Sequence, residues 1–345
     1  MSVFSSSKEV ATEEDASTKK KIDAFEKMTR AHLGLESADS VLPSLVDVDC
    51  NLNHKDLSRD ARFHAKMAAL GCGVRYMIIP GSSLKDSIET CELIEKVLVD
   101  SPSAGTASSL PRFISTAGVH PYMADAEDLK DKTQSNEDVR KMIQTKIRDI
   151  VRGNKCVAAI GECGLDYSEG FPSREAQLRA FEPQLALACE IQMPLFLHER
   201  NAFNDMKIIL SRQEKDLPPV LVHCFTGSTE ELAYYLSRGF YVSFSGIVCK
   251  RERGKALRES IRLQQKNLIG RVMVETDAPY LGFSNCRKGH DRKPKSTYPN
   301  VPTALPAVVA KIAECLGVPT KSLADASTKA ALRFFRVGGD ETDRE

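Results

Sequence analysis

CVAAIGECGLD, residues 156–166, is the stretch on which the reading of the fold turns. A short apolar run, VAAI, delivers one glutamate, Glu162, between two glycines that allow close backbone approach. Unbroken apolar runs of this length describe strands covered on both faces, which is the habit of parallel sheets. Outward in both directions the same beat recurs. Before it come LVDVDC (45–50), RYMIIPG (75–81) and RFISTAGVH (112–120). After it come MPLFLHE (193–199), PVLVHCFTG (219–227), FYVSFSG (240–246) and RVMVETDAPYL (271–281). Helix-like segments fill the intervals near 57–71, 84–98, 136–152, 173–191, 201–214, 228–238 and 255–267, and a last one covers 302–336. Eight strand–helix units predict an α/β chain folded as a (β/α)8 TIM barrel, in preference to a doubly wound open sheet.

The polar residues at the strand ends set the chemistry. Asp47, His120, Glu162, His198, His223 and Asp277 close six different strands. In a barrel those ends share one rim, so the side chains are expected to meet there. Carboxylates and imidazoles converging in one mouth are the ligand set of a divalent metal. Each residue alone has an ordinary structural explanation, such as a loop cap or a hydrogen-bonded histidine. Glu162, His198, His223 and Asp277 together carry the metal reading. Asp277 could ligate metal or take a proton from water. His120 could bond a phosphate or the attacking water. Asp47, Asp49 and Asn51 share one strand face by the period of two, which makes Asp49 a further oxygen ligand.

Composition narrows the rest. The 345 residues are 42% hydrophobic, enough for one barrel of about 250 residues plus extensions. A net charge of +1 provides no global field for nucleic acid, so attraction for phosphate must be local. Basic residues do gather after the seventh strand (Lys250, Arg251, Arg253, Lys255 and Arg258) and after the eighth (Arg287, Lys288, Arg292, Lys293 and Lys295). Those two loops bind phosphate in many barrels. Ten cysteines without a CxxC pair, no secretory apolar segment and no run long enough to span a bilayer point to reduced thiols in an intracellular protein. The cytoplasm is the expected compartment, with nucleus or mitochondrion as alternatives, and no membrane partner is expected. Residues 1–43 read as a flexible extension holding one short amphipathic helix around KKKIDAFEKMTRAHL; 44–338 form the catalytic domain and 339–345 a polar tail. The Ser/Pro-rich segment 100–111 reads as a disordered loop, and 282–302 as a substrate loop.

AGVHP (117–121), IGECGLDY (160–167), MPLFLHER (193–200), HCFTG (223–227) and ETDAPYL (275–281) occur in an order and spacing that resemble the TatD family of metal-dependent deoxyribonucleases. The resemblance covers roughly 45–336. It implies a barrel, one or two divalent ions, and phosphodiester hydrolysis in DNA, with RNA as a further substrate, in the manner of an exonuclease. It carries Glu162, His198, His223 and Asp277 over as metal and catalytic residues, with His120 beside them. Many relatives open with a His-x-His pair on the first strand. Here Asp49 and Asn51 stand at those positions, as in the branch that lacks the pair. An oxygen ligand in place of imidazole favours Mg²⁺, with Mn²⁺ or Zn²⁺ as alternatives. Pro299-Asn300-Val301-Pro302 departs from relatives that carry an acid before the last proline. A D-aminoacyl-tRNA deacylase and a non-catalytic nucleic-acid-binding protein are the competing readings.

Overall fold

The structure, a computed structural model, describes residues 5–37, 40–98, 108–126, 129, 135–290 and 296–338. Most of segment 100–111, the tail 339–345 and the basic residues Arg292, Lys293 and Lys295 lie outside the described residues. Eight parallel strands pair in chain order: β1 (Leu45–Asp47), β2 (Val74–Ile79), β3 (Arg112–Ala117), β4 (Val157–Asp166), β5 (Leu195–Arg200), β6 (Val220–Val222), β7 (Tyr241–Phe244) and β8 (Val272–Val274). A helix α1 (Ser5–Leu33) precedes them. Between them run α2 (Ala61–Cys72), α3 (Leu84–Lys96), α4 (Asn136–Gly153), α5 (Arg174–Ile191), α6 (Phe203–Arg212), α7 (Thr229–Ser237), α8 (Lys255–Leu263) and α9 (Gln265–Leu268). After β8 come α10 (Leu305–Leu316) and α11 (Thr320–Phe334). This is the (β/α)8 barrel that the alternating pattern predicts.

Each helix sits on the barrel through one apolar stripe. In α4 the buried residues Val139, Ile143, Ile147 and Ile150 recur at helical spacing, and a Ser135–Asp138 capping box starts the helix. Inside the barrel one buried residue from every strand meets at a common level: Val46, Ile78, Ile114, Ala159, Phe196, Leu221, Tyr241 and Met273. Phe334 and Phe335 close this layer from below, their rings perpendicular at 4.8 Å, with Phe334 edge-on to Tyr241 at 5.6 Å. The barrel is therefore a packed core with a solid floor, and any site must lie above it.

The last and first strands meet through the chain just beyond them. Val48 N donates to Val274 O at 3.2 Å, Asp277 N to Asp49 O at 2.9 Å, and Asn51 N to Ala278 O at 2.8 Å. Asp47 completes this seam. One of its oxygens accepts from Thr276 N at 2.8 Å and the other from Thr276 Oγ1 at 2.6 Å. The expectation that Asp47 joins the rim cluster is corrected by this geometry. Its carboxylate is fully buried and engaged in joining the two ends of the sheet.

Helix α1 is longer than the short segment expected around residues 19–33. Its C-terminal half docks on α2: Phe25 and Leu33 are buried, and Thr29 Oγ1 donates to Gly71 O at 3.0 Å. Gly71 has no room for a Cβ beside the Phe25 side chain, so a glycine there sets how closely the two helices approach. Among the described residues no single helix is long and apolar enough to cross a membrane.

The floor generates a stability prediction. Phe334→Ala removes a ring that is 1% exposed at the base of the barrel. It should cost about 3–5 kcal/mol, read as a lower urea midpoint. An unchanged midpoint would mean that the barrel does not rest on this floor.

Candidate active site

Local backbone geometry decides where the central carboxylate goes. Gly161 and Gly164 have φ of +137° and +145°, a region that disfavours residues with a side chain. A Cβ on Gly161 would overlap the carbonyl oxygen of Phe196, and one on Gly164 that of His198. The glycines thus bring the end of β4 tightly against β5. Glu162 and Asp166 of β4 then face His198 of β5.

The result is a carboxylate ringed by imidazoles. Glu162 Oε1 lies 2.7 Å from His223 Nε2, 3.0 Å from His198 Nδ1 and 3.3 Å from His120 Nε2. The other ring nitrogen of His198 is held by Asp166 Oδ2 at 3.0 Å. His120 Nδ1 accepts from Tyr122 N at 3.1 Å, so a neutral His120 carries its proton on Nε2 and aims it into the site. His223 lies over the Phe196 ring at 4.8 Å, which sets the imidazole directly on the barrel core. Asp49 Oδ2 approaches His223 Nδ1 at 3.2 Å, with Glu275 Oε1 4.0 Å from the same nitrogen. Asp277, in the left-handed region at φ +51°, accepts from Asn51 Nδ2 at 3.3 Å.

Burial and mutual charge shape the protonation of this cluster. Burial works to raise the Glu162 pKa, but the imidazoles of His223 and His120 outweigh it and hold it well below the usual value. Burial works to lower the His223 pKa, but Glu162, Asp49 and Glu275 hold it well above its usual value. The remaining acids go the other way. Burial pushes Asp49 and Glu275 each to about 7, and burial together with the Asp49 charge lifts Asp277 well above the carboxylate range. The site therefore holds more buried carboxylate than its imidazoles can balance.

That excess fits a cation. His120, Glu162 and His198 form one group with ligand atoms within 4.8 Å of one another, and Asp49, His223 and Glu275 form a second. In the second group Asp49 Oδ2, His223 Nδ1 and Glu275 Oε1 are buried without a hydrogen-bond partner among the described residues. Asp49 Oδ2 and His223 Nδ1 are close, but not in hydrogen-bonding geometry. Buried polar atoms are rarely left so, and three converging on one point are what a divalent ion would satisfy. Glu162, 2.7 Å from His223, joins the two groups.

Of the residues named from sequence, His120, Glu162, His198, His223 and Asp277 all line one cavity of about 860 Å³ at the C-terminal mouth of the barrel, and Asp49 lies beneath it against His223. The basic candidates are placed differently. Lys250, Arg251, Arg287 and Lys288 do not line this cavity. The Arg251 side chain is 95% exposed beside Glu252, and Arg287 donates to Pro299 O at 2.6 Å. The arginines that line it are Arg200 and Arg253. Asn300 of the departing proline segment is buried, donating to Thr276 O at 2.9 Å, so it braces the seam of the barrel. Sequence reasoning missed Asp166 and Glu275. Both stand an even number of residues from a recognised ligand, four from Glu162 and two from Asp277. The period of two along a strand was the signal that could have found them.

Comparison with known proteins identifies relatives of the whole barrel. The family model described as TatD related DNase matches residues 46–336. A protein of Rahnella sp. named 3′-5′ ssDNA/RNA exonuclease TatD is 34% identical over 295 residues, covering 85% of this chain and 98% of its own. Its counterpart of the same name in Salmonella typhimurium is 31% identical over 85% of this chain and 99% of its own. The crystal structure of a TatD homolog from Escherichia coli K12 superposes with a TM-score of 0.66 at 23% identity, covering 85% of this chain and 98% of its own. That of a TatD family hydrolase from Entamoeba histolytica superposes with a TM-score of 0.68 at 19% identity, covering 86% and 99%. The matched segment spans the sequence blocks and the whole barrel, and the chain belongs to the TatD related DNase family.

Proposed function

We propose that this protein is a divalent-metal-dependent nuclease that removes nucleotides from a 3′ end of single-stranded DNA, with RNA as a second substrate. The observation that carries the reading is Glu162 Oε1 within 3.3 Å of three imidazoles, beside buried carboxylates that lack partners. The relatives named as 3′-5′ exonucleases of single-stranded DNA and RNA supply the substrate class. The cavity supports it. Its volume of about 860 Å³ suits a strand end rather than an intact duplex. Two exposed aromatic rings, Tyr122 (60%) and Tyr280 (46%), stand at its lining, and Phe171 backs Tyr122 edge-on at 5.6 Å. Such rings stack unpaired bases irrespective of sequence.

Two groups of residues would hold the cations: Glu162 and His198 in one, with His120 beside them, and Asp49, His223 and Glu275 in the other. A divalent ion bound there neutralises phosphodiester charge, lowers the pKa of water and draws the neighbouring carboxyls into their ionised form. Asp277, on the cavity wall, then accepts the proton of the attacking water. His120, with its proton on Nε2, donates to a phosphoryl oxygen. Asp166 holds the His198 ring in one orientation, as partners of ligating histidines do. The carboxylates suit Mg²⁺ or Mn²⁺, and the imidazoles suit Zn²⁺ as well.

Chelation should abolish release of nucleotides from end-labelled single-stranded DNA, and added Mg²⁺ or Mn²⁺ should restore it. Full activity in rigorously metal-free protein would overturn the mechanism. Release of amino acid from charged tRNA without shortening of the strand would favour a deacylase instead.

Asp277→Asn keeps the shape of the side chain and removes its basicity. Single-turnover cleavage should fall by about 10²–10⁴-fold while thermal melting stays close to wild type. Near-normal cleavage would remove Asp277 from proton transfer.

Asp49→Ala takes one oxygen from the second group. The Mg²⁺ concentration for half-maximal activity should rise, with the barrel's circular dichroism preserved. An unchanged metal titration would show that Asp49 is no ligand.

A further inference from the structure

The cavity has a charge problem that its metal groups solve only in part. Six carboxylates line it, from Asp86, Glu162, Asp166, Glu199, Glu231 and Asp277. The only arginines or lysines among the described lining residues are Arg200 and Arg253, and the imidazoles that share the cavity are drawn to Glu162 at its base. Cations at the base can cancel the acids around the scissile phosphate. They cannot hold the neighbouring phosphates of a strand lying across the mouth. Those need a fixed positive charge at the wall.

Both arginines are placed for that. Arg200 ends β5, two residues beyond His198 and hence on the same strand face, opposite Asp166 in the register. Its backbone is anchored, the carbonyl accepting from Tyr167 N at 3.0 Å. Arg253 lies in the loop after β7. Both side chains are exposed, and neither has a hydrogen bond or ion pair with any described residue. The contrast with their neighbours is informative. Arg251 extends outward beside Glu252, Arg174 is held by Asp205 at 2.5 Å, and Arg238 is paired with Glu214.

The loop that carries Arg253 is itself built. Arg258, from the first turn of α8, donates to three carbonyls of the loop region: Val248 O at 2.9 Å, Lys250 O at 2.7 Å and Arg251 O at 2.7 Å. Gly254 closes the turn where a Cβ would collide with the carbonyl oxygens of Ile247 and Lys250. Gly254 N donates to Lys250 O at 3.1 Å. A planar guanidinium spanning several carbonyls fixes backbone direction in a way that an ammonium cannot. The loop is held still so that its outermost arginine faces the cavity at little ordering cost on binding.

We propose that Arg200 and Arg253 are the phosphate-binding side chains of this cleft, and that Arg258 is the positioning residue that aims Arg253 into it. The ligand is the backbone of a single-stranded polynucleotide, at phosphates flanking the one that is cleaved. The proposal rests on the nuclease reading above and deepens it. It narrows the phosphate contacts within the basic loops suggested by sequence to Arg253, and adds Arg200, which lies outside those loops.

Binding of a fluorescein-labelled single-stranded oligothymidylate is followed by anisotropy across a range of salt, with Mg²⁺, on an Asp277→Asn background. Steady-state cleavage is measured in parallel on the wild-type background. Arg200→Gln and Arg253→Gln should each reduce the slope of log affinity against log salt by about 0.7, the value for one lost single-strand phosphate contact. Each should raise KM about tenfold, with kcat unchanged. Arg258→Gln should reproduce the Arg253→Gln effect, and the double variant should lose nothing further, because one interaction has been removed twice. Arg258→Lys should fail to rescue. Arg148→Gln, which breaks a pair with Glu190 on the helical shell, should retain the wild-type slope. Wild-type slope and KM in both Arg200→Gln and Arg253→Gln would overturn the phosphate assignment while leaving the nuclease reading standing. Additive losses in the Arg253/Arg258 double variant would overturn the positioning role. A parent chain that neither binds nor cleaves the oligonucleotide would overturn this proposal and the nuclease reading together.

Discussion

One carboxylate oxygen organises this protein. Glu162 Oε1 is approached by imidazoles from β5 and from the segments that follow β3 and β6, with separations of 2.7 to 3.3 Å. Bringing an acid and three histidines so close, above a core of Phe196 and its neighbours, is possible only where the backbone permits it. The two glycines of β4 provide that permission, since a side chain at either would meet a carbonyl of β5. The chemistry of the site and the packing of the sheet thus share one constraint. A larger residue at Gly161 or Gly164 would displace the strand and the ligand together.

The rest of the barrel serves to keep that point in place. The floor of Phe334 and Phe335 stops the interior from being a pore. The seam between β8 and β1 is joined by backbone bonds and by Asp47 on Thr276, so the first and last strands deliver Asp49, Glu275 and Asp277 in fixed register. Buried carboxylates in such number are costly unless a positive charge accompanies them. Burial lifts Asp49 and Glu275 each to about 7, a cost that a positive charge beside them would remove.

A division of labour separates the depth of the cavity from its wall. The clustered carboxylates and imidazoles lie at strand ends, where small errors in position matter most. The wall is made of loops, and there the two unpartnered arginines and the exposed tyrosines meet solvent. Helix α1 lies outside the segment matched by the family model, yet Phe25 is packed at 4.7 Å from the His290 ring in the loop after β8. The extension is thereby joined to the body of the barrel.

The sequence alone determined much of this. Eight apolar runs alternating with helical stretches have no other simple way to bury their surfaces, so the barrel was legible from periodicity. Its site was legible because strand ends in a barrel share a rim: Glu162, His198, His223, His120 and Asp277 all proved to line one cavity. What only the tertiary structure decided were matters of direction and partnership. Asp47 and Asp49 share a strand face by spacing, yet one closes the barrel on Thr276 and the other meets His223, because the chain leaves strand geometry after Asp47. Asp166 and Glu275 became part of the site only when their partners on neighbouring strands were known. Runs of basic residues marked the loops, and the fold shows that of these Arg253 lines the cavity while Lys250, Arg251, Arg287 and Lys288 do not. Charge along a sequence does not reveal which guanidinium is engaged by a carbonyl, which faces solvent and which faces the cleft. That is set by the loop's three-dimensional path, here held by Arg258.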